Sequence, residues 1–94
     1  MEKDEINKII VETIQDYLFT QDIEQRINTQ TSLIGKNAVV DSIGLVTIII
    51  DIESRFLDMG YEVSLTSEKA MSSKISPFRN INALANYIAD SIRT

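Results

Sequence analysis

The sequence predicts an all-α fold: a small bundle of three main helices plus one short helix, with a long first connection. Three observations predict it. Apolar residues recur at helical spacing in three separate segments. The chain has 94 residues, enough for one domain spanning 1–94 and a modest core. Helices build such a core most economically, because each needs to bury only one apolar stripe.

The first helix is read from Lys3 to Thr20. Ile6, Ile9, Ile10, Ile14, Tyr17 and Leu18 recur at helical spacing, with Glu5, Lys8, Glu12 and Asp16 elsewhere around the wheel. Ile23 and Ile27 extend the pattern by another turn or two. The polar face is acidic, which favours a core-facing helix over a membrane-surface one. Periodicity fails between Asn28 and Val40. Asn28-Thr29-Gln30-Thr31-Ser32 is loop chemistry, and Leu33-Ile34-Gly35 reads as an apolar anchor followed by a turn. Leu33 and Ile34 are expected to pin the loop, since an unpacked loop of this length is unusual in a compact domain.

The segment from Ser42 to Asp58 holds a conflict. Val46-Thr47-Ile48-Ile49-Ile50-Asp51-Ile52 is rich in β-branched residues, which local preference assigns to a strand. The wider pattern is helical: Ile43, Val46, Ile49, Ile50, Phe56 and Leu57 fall on one side, and Thr47, Asp51, Ser54 and Asp58 on the other. The stretch is also long for a strand and contains no hairpin turn. Helix is therefore predicted, with Asp41 or Ser42 as its N-cap and Gly60 at its C′ position. Tyr61–Leu65 reads as loop or extended. Thr66 caps a short helix through Met71, and Ser76-Pro77 stiffens the loop that follows. Asn80 caps the last helix, with Ile81, Leu84, Ala85, Ile88 and Ile92 as its apolar stripe.

Composition narrows the chemistry. The chain has no cysteine and no histidine, so it lacks the usual nucleophile, general base and metal ligands. A Ser-His-Asp triad cannot form. The 14 acidic residues are scattered rather than gathered about a glycine-rich loop. Enzymatic activity and metal binding are not expected. A net charge of −5 disfavours nucleic acid and anionic membranes as partners. No segment approaches the roughly 18 apolar residues of a membrane span. The acidic start Met1-Glu2-Lys3-Asp4-Glu5 is unlike a secretory signal. A cytoplasmic monomer is the expectation.

One serine stands out, in Val40-Asp41-Ser42-Ile43-Gly44-Leu45-Val46, where a loop passes into a helix. Asp41-Ser42-Ile43, the following run to Ile52-Glu53-Ser54-Arg55-Phe56, and the segment Phe78–Ile88 together resemble the acyl carrier protein family. Ser32-Leu33-Ile34-Gly35 stands where that family has its loop before the serine. The resemblance covers nearly the whole chain. It implies that Ser42 bears a covalent 4′-phosphopantetheine arm through a phosphodiester and that Asp41 belongs to the surface read by a phosphopantetheinyl transferase. It implies an acyl group held as a thioester and passed between acyl-loading and acyl-accepting enzymes in a lipid, polyketide or polysaccharide-modification pathway. Ile43, Gly44, Thr47, Ile48, Asp51 and Arg55 are the expected partner surface, with Ile48 partly exposed.

The chain also departs from the family. Ile43 replaces leucine, and Gly44 and Thr47 stand at positions that are often acidic. The helix is less acidic than that of a general fatty-acid carrier, which implies a narrower set of partners. The glycine resembles that of D-alanyl carriers, so an aminoacyl cargo (D-alanyl or peptidyl) is the alternative. A further alternative is a helical adaptor in which Ser42 stays unmodified and serves only as a cap.

Overall fold

Helix α1 occupies Lys3–Thr20, the bounds its periodicity predicts. The computed structural model describes residues 2–36, 38–65 and 77–93. Within them the other elements are α2 (Ser42–Asp58) and α3 (Ile81–Arg93), and no strand forms. The short helix expected over Thr66–Met71 lies outside the described residues. No helix among the described residues is long and apolar enough to cross a membrane.

α1 is the central element. Ile6, Ile10, Ile14 and Leu18 recur every fourth residue, and all four are buried. A four-residue repeat on a helix of 3.6 residues per turn drifts slowly around the surface, so one stripe can serve two neighbours. α1 packs closely on both α2 and α3, whereas the backbones of α2 and α3 make no comparable approach to each other. Side chains close that gap: Ile48, Ile52 and Phe56 of α2 and Ile81, Leu84 and Ile88 of α3 join the α1 stripe in one core. Burying a side chain of this size contributes about 1.5–3 kcal/mol, more than local strand preference can oppose. The β-branched run of α2 therefore folds as helix. Thr13 is fully buried, and its hydroxyl donates to the Ile9 carbonyl at 2.7 Å, so its burial leaves no unpaired donor.

α1 stops at Thr20, and the extension through Ile23 and Ile27 does not form. Asp22 adopts φ 57°. The amides of Asp22 and Ile23 then donate back to the carbonyls of Phe19 and Leu18 at 3.1 and 2.9 Å. This double closure usually places glycine in the left-handed position. Aspartate does so here, so no stop signal is visible in the sequence. α2 closes in the same way with the expected residue: Gly60 has φ 90°, and the amides of Gly60 and Tyr61 reach the carbonyls of Leu57 and Phe56 at 2.9 Å each.

The connection between α1 and α2 is tied to the start of α3. The amides of Ile81 and Asn82 donate to the carbonyls of Thr31 and Thr29 at 3.2 and 2.8 Å. The Ala83 amide donates to Asn80 Oδ1 at 2.7 Å, as expected of a capping asparagine. Three orphan donors of α3 are thereby satisfied, two of them by the connection itself. Leu33 is buried, as predicted, but Ile34 is 40% exposed and is not a second anchor. Val39 takes that place: it is buried, and its amide donates to the Ser32 carbonyl at 3.0 Å. After α2, the carboxylate of Glu53 accepts the Leu65 amide at 2.8 Å, and Val63 and Leu65 are buried.

Replacing Asp22 by glycine should stabilise the fold by about 0.5 kcal/mol, the relief of the left-handed backbone outweighing the added freedom of the unfolded chain. Urea unfolding should show a higher midpoint at an unchanged slope.

Candidate functional site

Asp41 and Ser42 divide the work at the start of α2. Asp41 has an extended backbone, φ −82° and ψ −178°. Its Oδ1 accepts the Gly44 amide at 2.7 Å, and its carbonyl accepts the Leu45 amide at 2.9 Å. Asp41 is thus the cap, and Ser42 is the first helical residue. Both are exposed. Among the described residues no hydrogen bond engages the Ser42 hydroxyl, and none engages the amides of Ser42 and Ile43. The contrast is with α3, whose first amides are all satisfied. A free hydroxyl therefore stands beside two open donors at the positive end of a helix. An anion on that oxygen gains about 0.3–1 kcal/mol when exposed, so the site fits a phosphodiester.

Two open grooves flank this point. One, of about 260 Å³, is lined by Leu33, Ile34, Gly35, Ala38, Val40, Asp41, Ser42 and Leu45. The other, of about 400 Å³, lies across Val40 and Asp41 and reaches Tyr17, Gln21 and Ile23. Buried Leu33 and Val39 hold the loop that separates them. Gly35, at φ 89°, gives that loop its turn.

Gly44 lies on the core side of α2 and not on its outer surface. It is buried, and α1 occupies the space: a Cβ there would lie 2.9 Å from Tyr17 Oη, 3.1 Å from Tyr17 Cε2 and 3.0 Å from Val40 Cβ. The glycine lets α2 begin directly against α1. Ile48 is a second correction. Its side chain is 1% exposed, because the turn of the helix that carries Gly44 carries Ile48 to the same core side.

The apolar residues of α2 divide into two rows. Ile48, Ile49, Ile52 and Phe56 are buried, whereas Ile43, Val46, Ile50 and Leu57 are 78%, 54%, 58% and 63% exposed. Sequence periodicity groups Ile49 and Phe56 with the second row, but packing separates them. Both rows satisfy helical spacing, and only the position of α1 decides which is the core. Thr47 is exposed, its hydroxyl donating to the Ile43 carbonyl at 3.0 Å.

Asp51 and Arg55 are committed to the fold. Arg55 Nε donates to Asp51 Oδ1 at 3.1 Å, and Nη2 donates to Asp16 Oδ2 of α1 at 2.9 Å. The Asp16 hydrogen bond, followed by Asp51, raises the already high pKa of the guanidinium. Arg55 thus remains charged and ties α1 to α2. A tie of this exposure is worth about 0.2–1 kcal/mol. Tyr17 and Asp16 were not legible as site residues, because their partners lie on another helix. Among the described residues no three Asp, Glu, His or Cys side chains converge as a metal site.

Gly44→Ala should destabilise the protein by about 1 kcal/mol, the overpacking against Tyr17 and Val40 exceeding the helix preference that alanine adds. Tyr17→Leu should make the two changes non-additive, as a double-mutant cycle by urea unfolding would read. Comparison with family models, with curated proteins and with solved structures returned no match.

Proposed function

We propose that this protein is a carrier that holds an acyl group on a 4′-phosphopantetheine arm joined to Ser42 and delivers it between enzymes. The observation that carries this reading is the Ser42 hydroxyl: exposed, unbonded among the described residues, first in α2 and set beside the Asp41 cap. The group, when bound, supplies a terminal thiol, which a chain without cysteine lacks.

Each local residue has a task. Asp41 closes the helix start by engaging the Gly44 amide and so leaves the amides of Ser42 and Ile43 open, where they would hold the phosphate of the arm. It also belongs to the exposed surface that a phosphopantetheinyl transferase would read. Leu33, Ile34, Val40 and Leu45 line the groove beside Ser42 and favour an apolar acyl cargo over an aminoacyl one. The chain itself performs no bond chemistry; loading and removal fall to partner enzymes, whose encounters must be brief and therefore small in area.

An unmodified adaptor is the second reading, favoured by the exposed row of α2. A Ser42→Ala variant separates the two: it abolishes carrier function but leaves an adaptor's binding intact.

Co-expression with a broad-specificity phosphopantetheinyl transferase should add one phosphopantetheine to the wild-type protein and none to Ser42→Ala, as read by intact mass. An unshifted wild-type mass overturns the carrier reading. A shift that persists in Ser42→Ala moves the attachment site elsewhere.

A further inference from the structure

We infer that Tyr17 of α1 is a positioning residue for the arm on Ser42: its hydroxyl donates to an amide carbonyl of the arm, laid in the groove that runs from Val40 and Asp41 to the end of α1. The inference deepens the carrier reading and rests on it for the presence of the arm.

Tyr17 comes to this place from another helix. Its Oη lies 2.9 Å from where a Cβ on Gly44 would stand, in the same first turn of α2 as Ser42. The ring is half-buried and lines the groove of about 400 Å³. Among the described residues the hydroxyl has no hydrogen-bond partner, yet it is not sealed in the core. Packing against Gly44 needs only the ring, so the fold gives the hydroxyl no task. A fixed, open donor thus stands close to the attachment point.

The two grooves are continuous. Gly35, Ala38, Val40 and Asp41 line both, and Ser42 opens onto the smaller one. Their linings differ in chemistry. Apart from Asp41 and Ser42, the side chains of the smaller groove are apolar. The larger groove alternates polar and apolar groups. Tyr17 Oη offers a donor, and Asp41 Oδ2 offers an acceptor, since Oδ1 alone holds the Gly44 amide. Ile23 and Val40 offer apolar surface between them. A phosphopantetheine arm has the same alternation: two amides, each both donor and acceptor, joined by short methylene runs.

The route also answers a problem of reach. The cargo sits at the far end of the arm, whereas the apolar groove begins at the attachment point. The arm must double back for its end to meet that groove, and the larger groove takes up its length. Gln21 is the other polar side chain there, but it is exposed. Ordering it against the arm costs rotamer freedom. Tyr17 has already lost that freedom by packing against Gly44.

The test uses the full chain labelled with ¹³C and ¹⁵N. A broad-specificity phosphopantetheinyl transferase loads it in vitro from unlabelled coenzyme A, and intact mass reads the loading. Isotope-filtered NOEs should run from the arm's methylene protons to the Tyr17 ring and the Ile23 methyls. Amide shifts between the unloaded and loaded forms should include Gln21 and Val39. Tyr17→Phe keeps the ring, so it should load to the same extent and leave the unloaded protein's spectrum and urea midpoint at their wild-type values. It should lower the ratio of docked to free arm about two- to tenfold, the worth of one neutral hydrogen bond, read from weakened NOEs and smaller shifts. A loaded protein whose arm shows no NOE to Tyr17 or Ile23 overturns the inference and leaves the carrier reading standing. NOEs that Tyr17→Phe leaves at full strength overturn the role of the hydroxyl. A fall in NOEs together with a displaced spectrum of the unloaded variant assigns Tyr17 to packing alone and overturns it as well. An unshifted wild-type mass overturns the carrier reading, and this inference with it.

Discussion

The structure depends on one stripe of α1. Ile6, Ile10, Ile14 and Leu18 form the wall against which both other helices pack, and α2 and α3 meet only through side chains laid on it. A small bundle has little apolar area to spare. Sharing one stripe between two partners lets a short chain bury three helices at once. It also sets the rotation of α2 about its own axis. That rotation places Ile48, Ile49, Ile52 and Phe56 inside and leaves Ile43, Val46, Ile50 and Leu57 outside.

Polar contacts then place the helix start. Tyr17 of α1 lies against the bare backbone of Gly44, and Arg55 joins Asp16 to Asp51 two to three turns further along α2. The connection 21–41 is held by the amides that open α3. Ser42 is therefore positioned by three elements, although its own side chain engages none of them. A serine fixed in backbone and, among the described residues, unbonded in side chain is what the proposed attachment of a prosthetic arm requires.

Legibility varied with the range of the interactions involved. The start of α1, the bounds of α2, the Asn80 cap and the Gly60 stop were readable because each rests on contacts within a few residues. The end of α1 was not, since Asp22 occupies a position normally marked by glycine. Ile34 resembled an anchor because it adjoins Leu33, yet consecutive residues of an irregular loop need not point the same way. Val39 is the second anchor, placed by its bond to Ser32. Ile48 and Gly44 were assigned to an outer surface, although both face the core side of α2.

The sequence by itself determined the helical segments, the absence of thiol and imidazole chemistry, and the placing of Asp41-Ser42 at a loop–helix junction. These follow from periodicity, composition and local capping. Only the tertiary structure decided which of two apolar rows on α2 is buried, which carboxylates are already engaged, and that no described residue engages the two leading amides at Ser42 and Ile43. The physical reason is that α2 is apolar around much of its circumference. Its pattern carries two equally periodic solutions, and the choice between them belongs to α1.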